Sequence, residues 1–352
     1  MKLSDVGERA LVELVRKICR RGPRVRVGIG DDAAAIDIDG RRCLVATTDM
    51  LVARTHFPSG TTPEQMGHKA VVVNLSDIAA MGAEPLSLLF SVGLPRKLEV
   101  SFVRRIVRSM DAVARRYGTY VVGGDLDETD DITITGVAFG LADRQRLLTR
   151  SGAKPRDLIA VTGELGSAAA GLKILLEKLP SEGYEHLLRA QLEPVARVKE
   201  GILLAKSGKV TAAIDVTDGL AANLWQVSRE SGIKLIIDYA KLPVHRLTQK
   251  LAVRQKINID DFVLFGGEDL ELLFTVRPRG LVRVQKALRR VGTRVTVIGR
   301  VEEGRGVFMR KGRKIQKLPD RGYEHFVDHF KDQSNSATRN PQNVRPPCFS
   351  RD

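Results

Sequence analysis

The 352-residue chain lacks the features that mark several common protein classes. Its three cysteines, Cys19, Cys43 and Cys348, are far apart and lack the short paired spacing of a thiolate zinc site or a disulfide framework, so they read as core or surface thiols. No apolar run approaches the ~20 residues of a membrane-spanning helix. Residues 1–9 lack the basic-then-apolar layout of a secretion signal. The expectation is a cytoplasmic protein with no membrane partner. No Walker-type G-x-x-x-x-G-K-[ST] occurs, which argues against a P-loop kinase.

What the sequence does hold is an ordinary 43% of hydrophobic residues and a net charge of +15. The length exceeds the size at which one core usually stops growing, so two domains are expected. The positive charge would suit a nucleic-acid partner. However, Arg104, Arg105, Arg108, Arg115 and Arg116 are spread through a helix without interleaved aromatic residues. That pattern favours a solvated basic surface that attracts small anions, and nucleic acid is not expected as a partner.

The first half alternates short strands with amphipathic helices, the pattern of a mixed α/β domain. Residues 25–27, 43–48, 86–92 and 132–139 read as strands. Thr62, Pro63 and Glu64 combine a capping hydroxyl, a ring suited to a first turn and a carboxylate at the positive helix end. They start a helix that runs towards Met81 and stops near Gly82, and a second helix covers 100–117 before Gly118. A turn around 149–155 separates the halves. In the second half, 158–162, 212–216, 235–237, 272–276 and 295–298 read as strands, and 163–171 is a Gly- and Ala-rich turn entering a helix. The expected domains are therefore 1–147 and 148–326. Residues 327–352, rich in Asn, Gln, Ser, Pro and Arg, are expected to be a disordered tail. No internal repeat is visible.

The recurring feature is an acid at the end of an apolar strand or beside glycine: Gly28-Ile29-Gly30-Asp31-Asp32, Thr47-Thr48-Asp49, Asn74-Leu75-Ser76-Asp77, Gly123-Gly124-Asp125, Asp215-Val216-Thr217-Asp218-Gly219 and Gly266-Gly267-Glu268-Asp269. An aspartate after a strand is more often a turn former or helix cap than a ligand, and Asp218 could cap the helix that follows. Asp77 resists that reading. It lies inside a helix on the stripe Ala70, Asn74, Asp77 and Met81, and burying an unpaired carboxylate is costly. Hard oxygen donors without a His or Cys cluster suit Mg²⁺, which commonly bridges carboxylates to substrate phosphates.

Gly28 to Ala33 fits G-x-G-x-x-A, yet Asp31 and Asp32 would repel the pyrophosphate of a dinucleotide. The 163–171 turn could surround phosphates or simply pack a turn on a helix. His56 is equally compatible with an anion contact and a packed loop residue.

In order along the chain, Gly28-Ile29-Gly30-Asp31-Asp32, Asn74 through Ala83, Leu148-Thr149-Arg150-Ser151-Gly152-Ala153 and Gly267-Glu268-Asp269 resemble the thiamine-monophosphate kinase family, within the superfamily of aminoimidazole ribonucleotide synthetase and selenophosphate synthetase. The resemblance spans nearly everything except the tail, to Gly322-Tyr323-Glu324-His325-Phe326. It implies two α/β domains with mixed sheets, a homodimer paired through the N-terminal domains, and an active site in the cleft. It also implies several Mg²⁺ ions on Asp32, Thr47, Thr48, Asp49, Asp77, Asp125, Asp215 and Asp218. ATP would be contacted by Gly124, Asp125, Arg150 and Thr217, and thiamine monophosphate by His56, Glu268 and Tyr323. From the residues alone, Arg150 could instead be an exposed group at the domain junction. Thr217 stands where the family commonly has Ser, Leu270 where Tyr is common, and Leu126 and Asp127 where threonines are frequent.

The implied reaction is direct in-line transfer from ATP to a phosphate that is already ionised at neutral pH, so no catalytic residue is required as a general base and Arg150 is left as a phosphate stabiliser. Another ATP-dependent enzyme of the superfamily is an alternative. However, no reactive Cys lies near Gly28, as a selenophosphate synthetase would need, and Cys348 is not the last residue, as in a hydrogenase-maturation relative. A non-catalytic nucleotide- or RNA-binding protein is the other alternative, and it has no need for so many acids at strand ends.

Overall fold

The computed structural model describes residues 2–326. The expected disorder of 327–352, and Cys348 with it, lies outside the described residues. The first half runs α1 (Gly7–Ile18), β1 (Val25–Val27), β2 (Ala34–Asp37), β3 (Arg42–Val52), α2 (Ala53–His56), α3 (Pro63–Ala80), β4 (Glu84–Leu94), α4 (Val100–Arg116), β5 (Val121–Glu128) and β6 (Thr133–Asp143). Its six strands form one sheet in the order β1-β2-β3-β6-β4-β5, antiparallel except for the β4/β5 pair.

The second half runs β7 (Leu158–Thr162), α5 (Ser167–Leu176), α6 (Glu185–Leu192), α7 (Val198–Ser207), β8 (Val210–Asp215), α8 (Leu220–Ser231), β9 (Lys234–Asp238), α9 (Arg246–Gln255), α10 (Asp260–Val263), β10 (Leu272–Val276), α11 (Leu281–Arg289), β11 (Val295–Glu302), β12 (Gly306–Lys311) and β13 (Lys314–Lys317). These strands form a seven-stranded sheet in the order β13-β12-β9-β11-β7-β10-β8, mixed because β12 runs parallel to β9.

The element that joins the halves is α3. Its start is fixed by a reciprocal cap: the Gln65 N–H donates to Thr62 Oγ1 at 3.3 Å, and the Thr62 N–H donates to Gln65 Oε1 at 3.0 Å. Val71, Val72, Leu75, Ile78, Ala79 and Ala80 are fully buried, because α3 lies between the first sheet, α4 and α7. Burial of each large aliphatic side chain contributes about 1.5–3 kcal/mol. Two glycines allow this close packing. A Cβ on Gly67 would sit 2.4 Å from the Ile106 carbonyl of α4, and one on Gly201 of α7 would sit 2.0 Å from the Ala79 carbonyl.

The first sheet is covered on one face only. Along β6, Ile134, Gly136, Ala138 and Ala142 are buried, whereas Thr135, Val137, Phe139 and Leu141 are half covered. Most sequence expectations agree with these elements, but strands β2, β5, β12 and β13 were not anticipated. β5 contains Gly123, Gly124, Asp125 and Asp127, residue types depleted in strands, and β13 is exposed throughout. The arginines of α4 are solvated in part as surface pairs, Arg105 with Glu64 and Arg115 with Asp111.

Candidate active site

The acids converge where the two halves meet. The β1–β2 loop supplies Asp31 and Asp32, β3 supplies Thr47 and Asp49, α3 supplies Asp77, and the end of β8 supplies Asp215. One carboxylate oxygen from each of Asp32, Asp77 and Asp215 lies within 4.8 Å of the others. Asp77 accepts the Thr47 hydroxyl at 2.5 Å, and Asp215 accepts a short hydrogen bond from the Ser76 hydroxyl. Arg150 crosses from the second half and donates Nε and Nη2 to Asp32 Oδ1 at 3.0 and 2.6 Å, while its backbone N–H donates to Asp31 at 3.1 Å. Arg150 is therefore held in the cleft rather than exposed at the junction.

This is an electrostatically uncomfortable arrangement. Burial, reinforced by the Asp32 charge, pushes the Asp31 carboxyl up to about 7. Burial and then Asp218 raise Asp49 to about 6. Asp218 reaches about 6 through burial and then the charge of Glu8. Asp77 and Asp215 are raised well above the carboxylate range by burial and then by neighbouring aspartates. The cluster also leaves buried oxygens unpaired: among the described residues, Asp32 Oδ2 and Asp215 Oδ1 have no hydrogen-bond partner. Orphaned carboxylate lone pairs, an excess of negative charge and an all-oxygen donor set fit a hard divalent cation such as Mg²⁺.

The remaining expected ligands are more scattered. Thr48 is exposed, and its hydroxyl donates to the Gly136 carbonyl at 2.8 Å. Asp125 pairs with Ser91 on the outer strand β5 and is exposed. Three inter-strand spacings separate β5 from β3, about 14 Å. The single chain therefore does not bring Asp125 to the Asp32–Asp77–Asp215 group. Gly124, beside it, allows close approach of backbone, since a Cβ there would sit 1.8 Å from the Phe90 carbonyl. Asp218 does not cap the following helix. Gly219 precedes α8 with no side-chain cap, and the Asp218 carbonyl instead accepts the Tyr323 N–H at 2.9 Å.

A second group of side chains lies against the other stretch of α3. Lys69, 3% exposed, pairs with Glu268 at 2.6 Å and donates to the His56 carbonyl at 3.2 Å. Glu268 also accepts Gln191 Nε2 at 2.5 Å. His56 lies 5.7 Å from His325, which meets Tyr323 edge-on at 5.0 Å, so His56, Glu268 and Tyr323 are brought together. Glu268 has φ of +67° and Leu270 +50°, backbone strain held by hydrogen bonds from the Glu268 and Leu270 N–H groups to the Thr217 and Val216 carbonyls. Asp269 accepts the Gly166 N–H at 2.7 Å and is pushed by burial up to about 7. The 163–171 turn thus positions Asp269. Lys69, Ser76, Gln191 and Asp269 were not assigned from sequence. Lys69 lies on a helix whose exposed and buried faces cannot be told apart by periodicity, because nearly all of it is buried.

Residues 30–142 match the N-terminal domain, and 154–311 the C-terminal domain, of AIR synthase related protein. The architecture and its acidic cleft are those of this two-domain α/β class. The chain is 40% identical over 300 residues to the thiamine-monophosphate kinase of Pyrococcus horikoshii, covering 85% of this chain and 91% of the relative. It is 35% identical over 310 residues to that of Escherichia coli strain K12, covering 86% and 93%. The solved complex of AaThiL with AMPPCP and TMP superposes with a TM-score of 0.80 at 34% identity, covering 92% of this chain and 99% of that one. The chain belongs to the thiamine-monophosphate kinase family, and it is an ATP-dependent phosphotransferase. Hydrogenase maturation protein HypE, at 19% identity and a TM-score of 0.67, shares the fold alone. Among the described residues, no helix is long and apolar enough to cross a membrane.

Proposed function

We propose that this chain transfers the γ-phosphoryl group of ATP to the phosphate of thiamine monophosphate, giving thiamine diphosphate and ADP. The observation that carries this reading is the placement of the partly unpaired Asp32–Asp77–Asp215 cluster and Arg150 on one stretch of α3, with the Lys69–Glu268–His56–Tyr323 group on the next. A relative at 34% identity has been solved with both AMPPCP and TMP.

The residues that would hold Mg²⁺ are Asp32, Asp77 and Asp215, with Thr47, Thr48, Asp49 and Asp218 around them, and Asp125 would join them only through the pairing of two chains. When bound, Mg²⁺ supplies positive charge against the phosphate oxygens. Arg150 brings a planar guanidinium, already oriented by Asp32, to the same oxygens. Thr217 and Gly124 would line the nucleotide, and His56, Glu268 and Tyr323 the thiamine moiety. A phosphate monoester has a second pKa of about 6, so the acceptor is ionised at neutral pH and needs no base. The task left to the protein is alignment of two polyanions.

The open face of the first sheet supports a homodimer. Met50, 59% exposed, lies on this face in register with Thr135, Ser91 and Asp125, and half-covered Val137, Phe139 and Leu141 continue the face along β6. Pairing there would place Asp125 at an interface rather than in solvent. Light scattering giving the mass of two chains is the expected result. The activity is tested by ADP release from ATP with thiamine monophosphate and a panel of other phosphorylated acceptors, with and without Mg²⁺. Turnover that ignores thiamine monophosphate would overturn the assignment.

A further inference from the structure

A different set of metal-ligating side chains lies outside the acidic cleft. Glu164 follows β7, His186 is in the first turn of α6, and His245 immediately precedes α9. These segments are tied together by the Leu165–Val244 bridge, with the Leu165 N–H donating to the Pro243 carbonyl at 2.8 Å, and by the packing of α6 against α5 and α9. One carboxylate oxygen of Glu164 and one ring nitrogen from each histidine lie within 4.8 Å of one another. The two imidazoles stack with centroids 4.0 Å apart and planes 25° from parallel.

We propose that Glu164, His186 and His245 bind one transition-metal cation of the zinc class. Two imidazole nitrogens and a carboxylate oxygen are a borderline donor set, which favours Zn²⁺ over the Mg²⁺ suited to the all-oxygen cleft. Zinc bonds of about 2.0–2.1 Å bring tetrahedral ligands to about 3.4 Å from one another. Binding would therefore require the exposed Glu164 and His186 side chains to turn towards the ion. His245 Nδ1 accepts the Leu247 N–H at 3.2 Å, so coordination exchanges one helix cap for a metal bond.

The placement gives the site a consequence. α6 also carries Gln191, which holds Glu268, and the turn that carries Glu164 also carries Gly166, whose N–H holds Asp269. A cation at Glu164, His186 and His245 would cross-link the two segments that support this strained acidic pair.

The test uses the full chain without a histidine tag, stripped with chelator and then titrated with Zn²⁺ by calorimetry in saturating Mg²⁺. The expected result is one zinc ion per chain with a raised melting temperature. That ion is expected to be lost in His186→Gln/His245→Asn, where Asn keeps an N-cap acceptor. In Glu164→Gln, an exposed change that leaves the fold intact, binding should weaken. Replacing Zn²⁺ with Co²⁺ should give visible bands of a tetrahedral nitrogen–oxygen site in the parent and not in the double variant. No zinc bound by the parent, or the same zinc binding in the double variant and in Glu164→Gln, would overturn the proposal.

Discussion

Ser76 in α3 donates its hydroxyl to Asp215 at the end of β8, so a helix packed on the first sheet directly orients an acid of the second. The other Asp215 oxygen has no hydrogen-bond partner among the described residues. Removing the donor in Ser76→Ala takes away a bond to a charged group, a contribution of about 1.5–3 kcal/mol. If Asp215 serves as a Mg²⁺ ligand, the Mg²⁺ concentration for half-maximal ADP release should rise roughly ten- to hundredfold. An unchanged Mg²⁺ titration would separate Asp215 from the metal site.

Asp77→Asn should remove most kinase activity while the chain stays folded. The neutral amide also relieves crowding among buried carboxylates, so the melting temperature without Mg²⁺ should hold or rise. Asp125→Asn, at an exposed position, should lower activity with no change in melting temperature. Near-normal turnover in both variants at low Mg²⁺ would remove these residues from the metal assignment.

Glu268→Gln should raise KM for thiamine monophosphate more than KM for ATP, because Glu268 lies with His56 and Tyr323 rather than with Arg150. It also takes the charge from the half-buried partner of the Lys69 ammonium, which keeps the His56 carbonyl, so a loss of stability of about 1–3 kcal/mol is expected alongside. Steady-state kinetics with each substrate varied in turn, together with denaturant unfolding, checks both effects. An unchanged KM for thiamine monophosphate would exclude the substrate role.

Stability without metal should fall as pH rises. The folded values are about 7 for Asp31 and Asp269 and about 6 for Asp49 and Asp218, against about 4 in an unfolded chain. A raised folded value means that the folded chain binds more protons. The associated stability is therefore complete below about pH 4 and lost as pH climbs through 6 to 7. Mg²⁺ favours the ionised forms and should flatten the decline. Melting curves across this range, with chelator or with Mg²⁺, make the comparison; a metal-free chain that becomes more stable between these pH values would contradict it.

Sequence legibility followed the range of the forces involved. The strands at 158–162 and 272–276 were readable to the residue because both are short apolar runs in the interior of a sheet. Asp77 was readable because an acid on an otherwise apolar helical stripe needs a partner. β5 was hidden by its glycines and aspartates. The Ser76–Asp215 and Lys69–Glu268 contacts span 139 and 199 positions along the chain, and no local pattern announces a pairing made only when the two halves close. The same applies to His186 and His245, which are far apart in sequence and stacked in space.

The burial of α3 on nearly every side makes it a ruler. Lys69 and Asp77 are eight positions apart on one rigid rod, about 12 Å along its axis. The gap between the place that would receive the thiamine moiety and the place that would receive the triphosphate is thus written into helical rise, independent of how far the two halves open or close. Length itself would discriminate: an acceptor whose phosphate sits too near to its organic end, or too far from it, would anchor well and still present the wrong atom.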